Sequence, residues 1–156
     1  MANIQKYQKG DRTKLSKNFA AKEFDCNCSQ CTETLIDLDH VAKLQKLRED
    51  LNASITITSA YRCPAHNAAV GGASNSQHKL GTATDIQVSG MHPHEVQDAC
   101  EKFDGLGYYD TFTHIDSRGS RARWDKRAVQ EEFLPEGPTV EDIEITLEDI
   151  EKDLGL

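Results

Sequence analysis

Leu35, Leu38, Val41, Leu44, Leu47 and Leu51 step by three or four residues, the spacing of one helical face, so a helix is predicted over 35–51. Asp37 or Asp39 can cap its start, and Asn52 follows its end. Ser54-Ile55-Thr56-Ile57-Thr58-Ser59 alternates polar with β-branched apolar residues, the pattern of a half-buried strand. Pro64 is placed to open a short helix through Ala69, and Gly71 to Ser76 is loop by composition. Thr84 to Val88 reads as a second strand, and Val96, Ala99, Cys100 and Phe103 share one face of a helix over 93–103. Gly105-Leu106-Gly107-Tyr108-Tyr109 is a turn into a strand. In the strand at 112–116, Phe112, His114 and Asp116 face one side, Thr113 and Ile115 the other. Residues 1–33 keep no period and are expected to wrap the core as an irregular arm. Helices and strands without a βαβ rhythm predict an α+β fold, a single small domain with helices packed on its sheet.

The 156 residues, 37% of them hydrophobic, suffice for one compact core. The formal charge of −8 is uneven. Residues 139–156 hold seven acids and one lysine, which leaves −2 for the rest. Val140, Ile143, Leu147, Ile150 and Leu154 recur there at helical spacing. The expected organisation is a domain over 1–138 and an acidic helical tail over 139–156, its charged face solvated. No apolar run reaches the roughly 18 residues of a membrane span, and the polar start lacks the apolar centre of a secretory signal. Synthesis in the cytoplasm is therefore expected. The acidic balance argues against nucleic acid as a partner. Oligomeric state is not legible.

Cys26, Cys28 and Cys31 form C-x-C-x-x-C, with Cys63 and Cys100 far away in sequence. Three readings stay open: zinc with a fourth ligand, reduced structural thiols, or a disulfide plus a spare thiol. A redox or metal-sensing role belongs to the same cluster. His40, His66, His92 and His94 are assigned no site.

The chemistry concentrates in Ser76-Gln77-His78-Lys79-Leu80-Gly81-Thr82-Ala83-Thr84-Asp85. His78 on a loop and Asp85 pointing inward from the next strand can meet, because Gly81 lets the chain turn and Ala83 leaves room. Imidazole plus carboxylate suits Zn²⁺ with a position left for water, and His114 is the natural third ligand.

This S-x-H-x-x-G-x-A-x-D stretch resembles the signature of the zinc D-alanyl-D-alanine carboxypeptidases and L-alanyl-D-glutamate endopeptidases. That superfamily includes vancomycin-resistance D,D-dipeptidases and many phage endolysins, and shares its fold with hedgehog signalling domains. The likeness extends to Ser59-Ala60-Tyr61-Arg62 before Asn67, to Gly105 through Tyr109, and to Phe112 through Asp116, or roughly residues 20–125. The resemblance implies a hedgehog-like fold with an antiparallel sheet. It further implies His78, Asp85 and His114 as zinc ligands, Arg62 steadying the substrate carbonyl or oxyanion, and Ser76 bonding the substrate peptide.

Many family members carry Glu or Asp three residues before the last histidine ligand, where this chain has Thr111. Asp110, one residue upstream, is the candidate general base from spacing alone; Asp116 can instead act as the partner of His114. The implied activity is zinc-dependent hydrolysis of peptidoglycan stem peptides, of the D-Ala-D-Ala carboxypeptidase or L-Ala-D-Glu endopeptidase type, as in a phage or prophage lysis enzyme acting on the wall once released. A non-catalytic zinc module that binds wall peptides or a protein partner is the alternative. Trp124 is a candidate groove wall, with Arg121 and Arg123 nearby to attract anionic peptides.

Overall fold

The computed structural model describes residues 2–128. The expected acidic helix and the boundary at 138/139 lie outside them. One compact unit runs to Lys126. β1 (Ile4–Gln8) and β2 (Glu33–Asp37) form a two-stranded antiparallel ribbon. α1 (Leu38–Leu51), β3 (Ile55–Ser59), α2 (Pro64–Ala69), β4 (Ala83–Val88) and α3 (Pro93–Ala99) follow. The chain then closes the sheet with β5 (Gly105–Tyr108), β6 (Thr113–Asp116) and β7 (Ala122–Asp125). Short 3₁₀ turns occupy Ala21–Phe24 and Gln77–Leu80. The main sheet has the order β3-β4-β6-β5-β7; its neighbours run antiparallel except β5 and β7, which are parallel. The α+β architecture is as expected.

Asp37 sets where α1 begins. Its Oδ1 accepts from the Asp39 N–H at 3.0 Å and from the Asn3 N–H at 2.9 Å, so one carboxylate caps the helix and ties down β1. Asn52 ends the helix in the left-handed region at φ 49°, its N–H donating to the Arg48 and Glu49 carbonyls. The helix thus starts three residues later than the leucine spacing suggests, because Leu35 and Ile36 pair with β1. The N-terminal arm is less irregular than expected for the same reason. β1 is almost wholly exposed, so its pairing rests on backbone hydrogen bonds and leaves no apolar alternation to read.

Val41, Leu44 and Leu47 of α1 join Val96 and Cys100 from the α3 region, Ile86, Leu106 and Ile115 from the sheet, and Phe19 and Phe24 from the arm in one core. Each such large side chain contributes about 1.5–3 kcal/mol on burial. α3 stops at Ala99, yet a turn closed by the Phe103 N–H on the Cys100 carbonyl still delivers Phe103 to the core. Among the described residues no helix is long and apolar enough to cross a membrane.

His40 is a buried polar link between α1 and the sheet. Its Nδ1 lies 2.7 Å from Ser117 Oγ and its Nε2 3.0 Å from Thr84 Oγ1. Burial pushes its pKa down to about 3, against an ordinary 6.5. The unfolded chain therefore takes up a proton between these values that the folded chain refuses. Stability should fall as pH drops from 6.5 towards 3, by on the order of 5 kcal/mol, and be unaffected by this group above 6.5. Urea unfolding across that window should show a shallower acid loss in His40→Gln than in the wild type; parallel curves would reject the assignment.

Candidate active site

Two of the three expected ligands meet through strand register. Asp85 of β4 is the cross-strand partner of His114 in β6, so both side chains leave the same face of the sheet. His78 arrives from the 3₁₀ turn, which Ser76 caps: its Oγ accepts from the His78 N–H at 3.2 Å. Gly81 ends the turn at φ +83°, where a Cβ would lie 2.5 Å from the Leu35 carbonyl oxygen. The result is a buried triad. Asp85 Oδ1 lies 3.2 Å from His78 Nε2 and 3.0 Å from His114 Nδ1.

The outer nitrogens fix the tautomers. His78 Nδ1–H donates to the Ala60 carbonyl at 2.6 Å, and His114 Nε2–H donates to Asp116 Oδ2 at 2.7 Å. Asp116 is fully buried and also accepts from Arg118 Nε at 2.9 Å and Nη2 at 2.7 Å. Burial alone would raise its pKa, but the Arg118 and His114 hydrogen bonds hold it well below the carboxylate range. Asp116 is thus the orienting partner of His114. Gly105 makes room for it, since a Cβ there would meet the Asp116 carboxylate at 2.1 Å.

With the outer positions protonated, two imidazole lone pairs and one carboxylate oxygen face each other. Such a set repels itself unless a positive charge sits among the three, either protons on the rings or a metal ion. The direction of the titrations agrees. Against burial, the histidines hold Asp85 down to about 2, while Asp116 and Asp85 raise His114. The three ligand atoms lie within 4.8 Å of one another, and the N,N,O set matches Zn²⁺ chemistry.

Arg62 reaches the other oxygen of Asp85, Nη2 to Oδ2, at 3.4 Å. It is aimed by its neighbours: Nε donates to Ser59 Oγ at 3.2 Å, Nη1 to Asn67 Oδ1 at 3.3 Å, and Asn67 Nδ2 in turn to the Ala73 carbonyl at 2.8 Å. Gly72 packs so closely on this network that a Cβ would fall 2.2 Å from Asn67 Oδ1. The Ser59, Arg62 and Asn67 of the sequence motif are therefore one hydrogen-bonded unit.

Above the triad opens a cavity of about 600 Å³ whose lining includes Arg62, Ser76, Tyr109, Arg118, Trp124 and Lys126. Trp124 forms a wall: its ring packs on His114 at 4.9 Å between centroids, and its Nε1–H donates to Tyr109 Oη at 2.9 Å. β7 was missed in the sequence because all four of its residues are half-buried and carry no alternation. Arg118 and Tyr109 also carried no signal of their own. Arg121 and Arg123 do not face the cavity; strand alternation turns Arg123 away from Trp124, and both arginines engage Glu101, at 2.9 and 3.5 Å.

Asp110, the expected general base, is set apart from the triad. It is exposed, does not line the cavity, and sits 3.7 Å from His94 Nε2 at the start of α3. The turn after β5 carries Tyr109 and Phe112, stacked at 4.3 Å, into the cavity wall and leaves Asp110 at its outer side. Asp85 is the only carboxylate lining the cavity among the described residues.

Fold and site together place a group of side chains that could hold a metal ion beneath a cavity edged by Arg62, Arg118 and Lys126. A family model described as Peptidase M15 matches residues 17–116, and the chain belongs to that family. The matched span begins in the arm and ends at Asp116, so it takes in the whole triad and Arg62. No curated protein matches the chain.

Replacing Asp116 with Asn should weaken metal binding about 10- to 100-fold, because the His114 ring loses the partner that orients it. Competition with a chromogenic chelator measures this; unchanged affinity would show that Asp116 serves packing alone.

Proposed function

We propose that this peptidase is a zinc enzyme that hydrolyses peptidoglycan stem peptides, as a D-Ala-D-Ala carboxypeptidase or an L-Ala-D-Glu endopeptidase. The observation that carries the reading is the convergence of His78, Asp85 and His114 beneath a cavity edged by Arg62, Arg118 and Lys126. His78 Nε2, the Asp85 carboxylate and His114 Nδ1 would hold the ion. Bound there, Zn²⁺ would supply Lewis-acid polarisation of a carbonyl and a lowered pKa for water.

The chain's own groups do the rest. Arg62, anchored by Ser59 and Asn67, presents a permanently charged planar donor to the scissile carbonyl and opposes the negative charge that grows on its oxygen. Ser76 keeps its hydroxyl hydrogen available to a substrate carbonyl while its oxygen caps the turn. Tyr109 accepts from Trp124, so its own hydroxyl hydrogen is free to turn to the substrate. The cations at the rim suit the free carboxylates of stem peptides, and the Trp124 ring supplies an apolar wall for their alanyl methyl groups.

A second reading, a zinc-containing module that binds wall peptides without cleaving them, draws on the placement of Asp110 beside His94 rather than at the cavity. Mass spectrometry of defined stem peptides decides between the two. Zinc-loaded protein should release terminal D-Ala or split L-Ala from D-Glu, and chelated protein and His78→Ala should do neither. Arg62→Met should lower kcat on the order of 100-fold. Peptides bound but intact in every sample would establish the binding module instead.

A further inference from the structure

The folded chain gathers a second donor set that the triad does not use. Cys26, Cys28 and Cys31 follow the 3₁₀ turn Ala21–Phe24, and Cys63, distant in sequence, caps the start of α2. The four Sγ atoms lie within 4.8 Å of one another. Individual separations are 3.3 Å for Cys28–Cys31, 3.7 Å for Cys28–Cys63 and 3.9 Å for Cys26–Cys63. A disulfide needs about 2.0 Å. A tetrahedron of sulfurs at the Zn–S distance of about 2.3 Å has edges of about 3.8 Å, which is where these separations cluster. Four thiols sharing one small volume have no pairwise chemistry that explains all of them.

Hydrogen-bond donors are aimed at the sulfurs. The Cys31 N–H donates to Cys28 Sγ and the Cys63 N–H to Cys26 Sγ, both at 3.4 Å. Lys9 Nζ stands 3.6 Å from Cys31 Sγ and 3.9 Å from Cys28 Sγ. Four thiolates around a divalent ion leave two negative charges, and Lys9 with these amides offsets part of them. The fifth cysteine is different: Cys100 is fully buried in the apolar core and is not part of the four-thiol group.

We propose that Cys26, Cys28, Cys31 and Cys63 form a structural tetrathiolate zinc site, separate from the His78–Asp85–His114 centre, that clips the N-terminal arm to the start of α2. The site stands independently of the peptidase reading. Cys63 directly follows Arg62, so the clip fixes the segment that carries the arginine to the cavity.

Metal analysis of the full chain tests this. Wild type saturated with zinc should hold two ions per chain, and a His78→Ala/His114→Ala double variant should hold one. Cobalt in that double variant should show the intense thiolate charge-transfer bands of a tetrahedral sulfur site. On wild type, a mercurial thiol reagent should release one zinc per chain to a chromogenic indicator, a readout that no folding defect can mimic. Cys28→Ser should lose one ion, and Cys100→Ala none. A folded double variant without metal, or wild-type thiols that all react freely without releasing zinc, would overturn the proposal. A failure to cleave peptides would leave these results untouched, so the two readings fail separately.

Discussion

The Asp85 carboxylate is the constraint around which the molecule is organised. It is an anion with almost no access to water, and an uncompensated buried charge would cost several kcal/mol. Its compensation comes from three separate parts of the chain: His78 from a turn, His114 from a neighbouring strand and Arg62 from the segment before α2. Each of those is held by a further partner, the Ala60 carbonyl, Asp116 with Arg118, and Ser59 with Asn67. The centre is therefore preorganised two layers deep, and that is what lets three acceptor-rich groups be kept close enough to share an ion.

This dependence explains which parts of the structure the sequence disclosed. α1, β3 and β4 sit against the core, so burial wrote their pattern into the residues, whereas the mostly exposed α2 was legible from Pro64 at its first position. The triad was legible because His78, Gly81 and Asp85 must fall at set distances along one turn and strand. β1 and β7 were not legible, since one is exposed on nearly all its length and the other half-buried throughout. The placement of Asp110 was not legible for a different reason. Spacing along a strand predicts which face a residue takes, but Asp110 lies in the turn between β5 and β6, where alternation no longer applies. Cys63 could not be joined to the other three thiols from spacing either, because β2, α1 and β3 separate them.

Charge makes the same point about scale. The chain is acidic overall, yet its cavity is not. Arg118 answers Asp116 and Arg62 answers Asp85, which leaves Lys126 and any bound ion as surplus positive charge facing the opening. Low-dielectric walls such as Trp124 strengthen that local field relative to the distant acids, which salt screens within about 8–10 Å. Net charge argues about solubility and nucleic acid; it does not decide what a cleft this size attracts.

The segment from Ser59 to Asn67 ties these features into one mechanical unit. The Tyr61 N–H donates to the Phe24 carbonyl in the arm, and the Arg62 N–H to the His78 carbonyl in the ligand turn, both at 3.1 Å. Cys63 then meets the thiols of the arm, and Asn67 returns to hold the Arg62 guanidinium. Arg62 is thus positioned by backbone bonds on both sides as well as by its side-chain partners. The arm, none of whose described residues lines the cavity, helps fix the height and angle at which the arginine enters. In the proposed hydrolysis, a displacement there of even 1 Å would move the charge away from the place where a developing oxyanion needs it, and the loss would appear in turnover rather than in metal binding.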